Sequence, residues 1–176
     1  TTDTLVVAGS ATVTISDANT TAITAANLSA IGAKTSGAVT VTNAIAISGT
    51  QAEVTAALVT TDTLVVAGSA TVTISDAVTI AQLTAIDAKT SGTITYTSIS
   101  DTASNLAANT GSYVTGAVDV TITDGITAAQ LVTINALTSG EITLNDTNDT
   151  LTDSTADLVA AFTGTVTAYT GAITIN

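Results

Sequence analysis

Apolar and polar positions along this chain follow two periods that take turns. Runs of Val, Ile and Thr alternate with period two at Thr4–Ala8, Thr12–Ser16, Ala38–Thr42, Ala44–Ser48, Thr93–Thr97, Ser98–Ser100, Val118–Thr123, Glu141–Leu144, Thr165–Tyr169 and Ala172–Ile175. β-Branched residues in strict alternation suit a strand with one buried face. Between these runs lie Ala/Leu/Gln-containing segments whose apolar residues recur at helical spacing, such as Ile126, Ala129, Leu131, Ile134 and Leu137, or Leu158, Ala161 and Phe162. They follow Asp, Gly, Thr or Ser, as helix starts prefer, and several close at a Gly that suits a helix C-cap. The pattern predicts short helices joined by pairs of short strands, with turns at Gly9-Ser10, Asn43, Asp146–Asp149 and Thr170-Gly171.

The units repeat. Residues 1–18 and 60–77 both read TTDTLVVAGSATVTISDA. Three further segments end alike in Ser-Gly: Ile23–Gly37, Val78–Gly92 and Ile126–Gly140. A shorter set lies between them at Thr50–Thr60, Asp101–Gly111 and Ser154–Gly164. The apolar residue at the matching place in all six helical segments is Leu28, Val54, Leu83, Leu106, Leu131 and Leu158, at intervals of 26, 29, 23, 25 and 27 residues. A period near 26 that alternates long and short versions marks a solenoid. The expected fold is a repeat solenoid of right-handed parallel strand–strand–helix coils, leucine-rich-repeat-like or β-helix-like. Its single domain spans residues 1–176, with coils near 1–37, 38–62, 63–92, 93–112, 113–140 and 141–164, closed by a strand pair at 165–176. At roughly 4.8 Å per stacked strand such a coil series is a rod roughly 30 Å long.

Composition narrows the function. The 176 residues include 42 Thr and 32 Ala, two Lys, no His, Cys, Met, Trp or Pro, and four aromatics. Without His or Cys there is no imidazole base, no thiol nucleophile and no zinc, haem or iron–sulfur site of the usual kind. The acids recur with the repeat rather than marking a pocket, and the serines have no His to activate them, so no enzyme activity is expected. A net charge of −12 with Lys34 and Lys89 as the only basic side chains excludes nucleic acid and anionic membrane surfaces as partners, because nothing neutralises phosphate. No apolar run reaches the roughly 18–20 residues of a membrane helix, so no membrane insertion is expected.

Strings such as TVTISDA, ITAAQL and SDTASNLAAN resemble the Thr/Ala-rich tandem repeats of giant secreted cell-surface proteins of Gram-negative bacteria, cyanobacteria included, of the adhesin, S-layer or swimming-motility type. The resemblance covers nearly the whole chain. It implies secretion without a cleaved leader, display on the bacterial cell surface, and a structural, adhesive or motility role. The calcium-binding GGxGxDxUx nonapeptide of many such exported proteins is absent from this sequence.

Three groups of residues are candidate sites. Asp17, Asp76, Asp101 and Asp124 each stand where a strand run passes into a helical one, and the position admits two readings: an N-cap or turn residue repeated once per coil, or a ladder of carboxylates holding Ca²⁺ between coils. The segment Asn145–Asp153 concentrates oxygen donors, which makes Asp146, Asp149 and Asp153 the candidate calcium ligands, although it lacks the Gly and distal Glu of an EF-hand loop. No cofactor is required, and calcium is the optional ligand. The T-x-T pairs (Thr12/Thr14, Thr40/Thr42, Thr71/Thr73, Thr93/Thr95, Thr121/Thr123, Thr165/Thr167) read either as the outward positions of soluble strands or as an ice-ordering array.

The first and last segments are strand-like, and neither carries a polar cap. The chain is expected to stack head to tail on itself, or on further repeats, through Thr1, Leu5 and Val7 at one end and Ile173 and Ile175 at the other. The expected function is a non-enzymatic structural segment of a secreted surface filament, sheath or layer. The alternative is a surface binding module for carbohydrate or ice, with Tyr96, Tyr113 and Tyr169 as the rings that a sugar site would use.

Overall fold

The computed structural model describes residues 9–145, 150–167 and 169–176. The chain divides into two compact units, residues 1–76 with 84–96 and residues 77–83 with 97–176. Among the described residues there are twelve short strands and six α-helices, and every strand pairing is parallel.

The first unit holds two sheets. One takes β1 (Val13–Ile15), β3 (Val39–Val41) and β5 (Val65–Val66) in the order β1-β3-β5. The other takes β2 (Ala22–Thr24), β4 (Ala46–Gly49), β6 (Thr71–Ile74) and β7 (Ile94–Thr95) in the order β2-β4-β6-β7. Partners lie about one repeat apart in sequence: Val13↔Val39↔Val65 in the first sheet and Ile23↔Ile47↔Val72↔Ile94 in the second. Val39, Ile47, Val65 and Val72 are buried, while their neighbours Thr40, Ser48, Val66 and Thr73 face out. Period-two alternation thus sorts each strand into a core side and a water side. Helices α1 (Ala25–Gly32) and α2 (Gln51–Leu58) pack against each other and bury Leu28, Val54 and Leu58 completely.

The second unit holds the sheet β10-β9-β8, built from β8 (Ser98–Asp101), β9 (Asp119–Ile122) and β10 (Ile142–Leu144), and a two-stranded sheet of β11 (Leu151–Asp153) and β12 (Ile173–Ile175). Single bridges from Val78 to Ile99 and from Ile142 to Val166 continue the larger ladder. Its inner row Ile99, Val120 and Ile142 is buried. Helix α5 (Ala128–Asn135) packs on both α4 (Ala103–Ala108) and α6 (Thr155–Ala161). Helix α3 (Ile80–Asp87) contributes its first residues to this unit and its last to the other. The six apolar residues that mark the repeat, Leu28 to Leu158, each lie buried in one of the six helices.

Three details depart from the sequence-based expectations. The strand that follows Thr12–Ser16 is Ala22–Thr24, a stretch whose Ile23 reads as the start of a helix. The helix begins only after Thr24, whose hydroxyl accepts from the Asn27 N–H and so caps α1. Second, the Ser-Gly glycines are not C-caps: α1 and α5 end at Ala33 and Ala136 in ordinary right-handed geometry, and Gly37 and Gly140 lie beyond them. A left-handed cap does occur on α4, supplied by Asn109 at φ 41°. Third, the run Thr165–Tyr169 contributes a single bridge at Val166 where a strand is expected, Ala168 lying outside the described residues.

Candidate functional site

Threonine and serine cap the helices. Thr24, Thr50, Thr102, Thr127 and Ser154 each accept from the backbone N–H three residues on. Thr50 with Glu53 and Thr127 with Gln130 form full capping boxes, and Thr79 exchanges the same two bonds with Gln82. With this role filled locally, the recurrent aspartates are free for another. Asp76 accepts from the Gln51 N–H at 2.6 Å, Asp101 from the Ile80 N–H at 3.0 Å, and Asp124 from the Ala103 N–H at 2.7 Å. Those three N–H groups belong to the first residues of α2, α3 and α4. Each carboxylate therefore reaches back one repeat and satisfies an orphan donor at the positive end of the preceding helix. The N-cap expectation is corrected in its target: these acids cap the neighbouring repeat's helix, not their own. Asp101 is the most engaged, 7% exposed and accepting also from the Thr102 N–H and from Asn105 Nδ2, both at 2.8 Å.

A second recurrent device is built from Thr-Ser-Gly. In Thr35-Ser36-Gly37, Thr90-Ser91-Gly92 and Thr138-Ser139-Gly140 the threonine hydroxyl accepts from the glycine N–H at 2.9–3.0 Å. The same hydroxyl donates at 2.5 Å to a carbonyl of the preceding repeat, that of Ala11, Ala70 or Val118. The serine N–H and hydroxyl both donate to the carbonyl of Gly9, Gly68 or Gly116. A Cβ on Gly37, Gly92 or Gly140 would overlap that same Ala11, Ala70 or Val118 carbonyl. Glycine is required there by close backbone approach rather than by its φ. Sequence reading missed this role for the threonines, although the threefold recurrence of T-S-G after a helix was a visible signal.

Of the expected calcium ligands, Asp146 and Asp149 lie outside the described residues. Asp153, at the end of β11, accepts from the Ser154 N–H at 2.8 Å. Among the described residues no three carboxylates gather where they would hold an ion. Thr1, Leu5 and Val7 of the expected stacking surface are likewise outside the described residues. Ile173 and Ile175 are 49% and 61% exposed on β12. Of the rings expected for a sugar site, Tyr169 lies 6.0 Å from Phe162, centroid to centroid, and the ring of Tyr113 lies against Gly111.

An open cleft of about 560 Å³ lies in the first unit beside Lys34, Thr35, Ser36 and Asp62. Its Thr35 and Ser36 hydroxyls are already committed to the Gly9 and Ala11 carbonyls. Among the described residues every buried side-chain nitrogen and oxygen has a hydrogen-bond partner, and no helix is long and apolar enough to cross a membrane. The polar chemistry of this chain converges on the junctions between repeats. No protein-family model, curated protein or solved structure matches the chain.

Proposed function

We propose that the chain is a non-enzymatic structural segment, a strand–strand–helix solenoid belonging to a secreted, surface-displayed filament, sheath or layer of a bacterium. One observation carries the reading: the recurrent Asp, Thr and Ser side chains are spent on bonds to the repeat before their own. A chain whose polar groups lock neighbours together resists separation along its length. The surface location rests on the resemblance of its Thr/Ala-rich repeats to exported proteins. Calcium remains an optional ligand of the Asn145–Asp153 segment.

Forced unfolding of the full chain between handles tests this reading. A stack of repeats unravels in steps of one or two repeats, each 26-residue repeat releasing about 90 Å of contour at about 3.5 Å per residue. A single release of the whole length of about 600 Å would sink it.

One observation favours a second reading, an ice-binding module. Thr24, Ser48, Thr73 and Thr95 pair in register across β2-β4-β6-β7 and are all exposed, which sets four hydroxyl-bearing side chains, three of them with a methyl, in an uncharged row about 4.8 Å apart. An ice-recrystallisation assay on wild type and Thr73→Lys decides it: equal behaviour of the two excludes the row.

A further inference from the structure

We propose that Asn19 is a glycosylation site of the folded chain, its side-chain amide nitrogen accepting a sugar activated at C1 by a diphosphate. The inference goes beyond the structural role above and rests only on the export that the reading includes.

The sequence duplication singles the residue out. Residues 1–18 and 60–77 are identical, and each copy leads into a helix whose buried marker is Leu28 or Leu83. Leu83 follows Ala77 by six residues, but Leu28 follows Ala18 by ten. The second copy passes at once to Val78, which is 1% exposed. The extra length of the first copy includes Asn19-Thr20-Thr21, which precede Ala22 at the start of β2. The second copy builds its core without such residues, and insertions in repeat proteins are carried as surface loops. This one spells Asn-x-Thr, the acceptor pattern for N-linked sugar.

The insertion forms a tight turn between β1 and β2. The Thr21 N–H donates to the Ala18 carbonyl at 3.1 Å, which makes Asn19 and Thr20 the two central residues. Thr20 takes φ 66°, unusual for a β-branched side chain. Residues 16–20 are all exposed. The next repeat holds the inner side of the turn. Asn19 Oδ1 accepts from the Ala44 N–H at 3.0 Å, the Thr20 N–H donates to the Ala44 carbonyl at 2.8 Å, and Asn43 Nδ2 donates to the Asp17 carbonyl at 2.8 Å. Among the described residues neither Asn19 Nδ2 nor the Thr21 hydroxyl has a partner. That nitrogen is the one the reaction needs. Its bond to C1 forms as the C1–oxygen bond to the diphosphate breaks, the diphosphate leaves, and one Nδ2 proton passes to a base of the transferase. Oδ1 takes no part, so the glycosylated side chain keeps its bond to Ala44. The same pattern at Asn27-Leu28-Ser29 is locked inside α1: Leu28 is 0% exposed, and the Ser29 hydroxyl donates to the Ala26 carbonyl at 3.0 Å. A transferase reads it only by unwinding the helix. The patterns at Asn145 and Asn148 run into residues outside the described ones.

Two donors supply this chemistry, and the test separates them. The folded full chain carrying Asn145→Gln and Asn148→Gln is incubated with UDP-glucose and a soluble asparagine glycosyltransferase, or with a diphospholipid-linked oligosaccharide and a membrane oligosaccharyltransferase. Mass spectrometry then locates the modified residue. A glycan at Asn19 is expected from at least one arm, and the arm that gives it identifies the kind of donor. Asn27 is expected to react at least about tenfold more slowly, because its reaction waits on the opening of α1. Thr21→Val leaves Asn19 and its bond to Ala44 in place yet is expected to abolish the modification, and Thr21→Ser to retain it. The proposal is overturned if both arms leave Asn19 bare, if Asn27 reacts as fast, or if Thr21→Val reacts like the parent chain. A bare Asn19 with stepwise forced unfolding preserved removes only this site. A glycosylated Asn19 in a chain that unfolds without steps removes the solenoid reading and leaves the site.

Discussion

Replacing Asp101 with Ala separates a carboxylate that caps its own helix from one that ties two repeats together. The side chain is almost fully buried, and its two oxygens accept from the Ile80 N–H, the Thr102 N–H and Asn105 Nδ2. Thr102 keeps its hydroxyl cap on the Asn105 N–H whatever stands at position 101. The largest loss therefore falls one repeat away, where the first N–H of α3 loses its carboxylate acceptor. Taking the acceptor from a buried donor costs about 1–3 kcal/mol, and hydrogen bonds to charged groups lie toward the upper end. About 2–3 kcal/mol is expected at Ile80, a roughly 30- to 150-fold rise in its amide exchange rate under native conditions. Exchange at single amides is the appropriate assay, because the chain divides into two compact units and need not unfold as one. Asp101→Asn keeps an acceptor without its charge and is expected to fall between wild type and Ala. Unchanged protection at Ile80, with faster exchange confined to α4, would refute the reading and return Asp101 to a local cap.

Gly92→Ala forces a Cβ into the Ala70 carbonyl and is expected to destabilise by about 2–4 kcal/mol in urea unfolding, whereas Gly68→Ala, which meets nothing within 4 Å, is expected to be neutral or slightly stabilising. Thr90→Val keeps the volume but removes a hydroxyl that donates to Ala70 and accepts from Gly92, so about 2 kcal/mol is expected to be lost by the same measurement, with Thr90→Ser largely restoring it. If Asn145–Asp153 holds calcium, millimolar calcium raises the melting temperature and Asp153→Asn abolishes the rise; equal melting with calcium and with chelator removes the ion from the account.

Much of this architecture is legible in the residues alone, because it depends on near neighbours. The alternation of Val, Ile and Thr sets which side of each strand is buried, and the Leu28-to-Leu158 series marks one buried residue in every helix. Thr and Ser before each helix suit capping, and the structure uses them so. The recurrence of Asp and of Thr-Ser-Gly is also visible, but not the direction in which they reach. Their partners lie 20–27 residues away, beyond any helical or turn spacing.

The duplicated segment divides the two kinds of information most clearly. Val13 and Val72 occupy the same place in identical stretches of sequence, and in both copies the following threonine faces out and the next isoleucine is buried. In both, the Gly-Ser-Ala before the strand is gripped by a later Thr-Ser-Gly. Yet Val13 lies in β1-β3-β5, and Val72 lies in β2-β4-β6-β7 with β4 on one side and β7 on the other. Gly9 takes φ 61°, a left-handed conformation that its counterpart Gly68 does not share. Pleat, cap and turn preferences act over a few residues and so are written identically into both copies. Sheet membership depends on which strand of the neighbouring repeat is already in place, and that is decided only when the repeats pack.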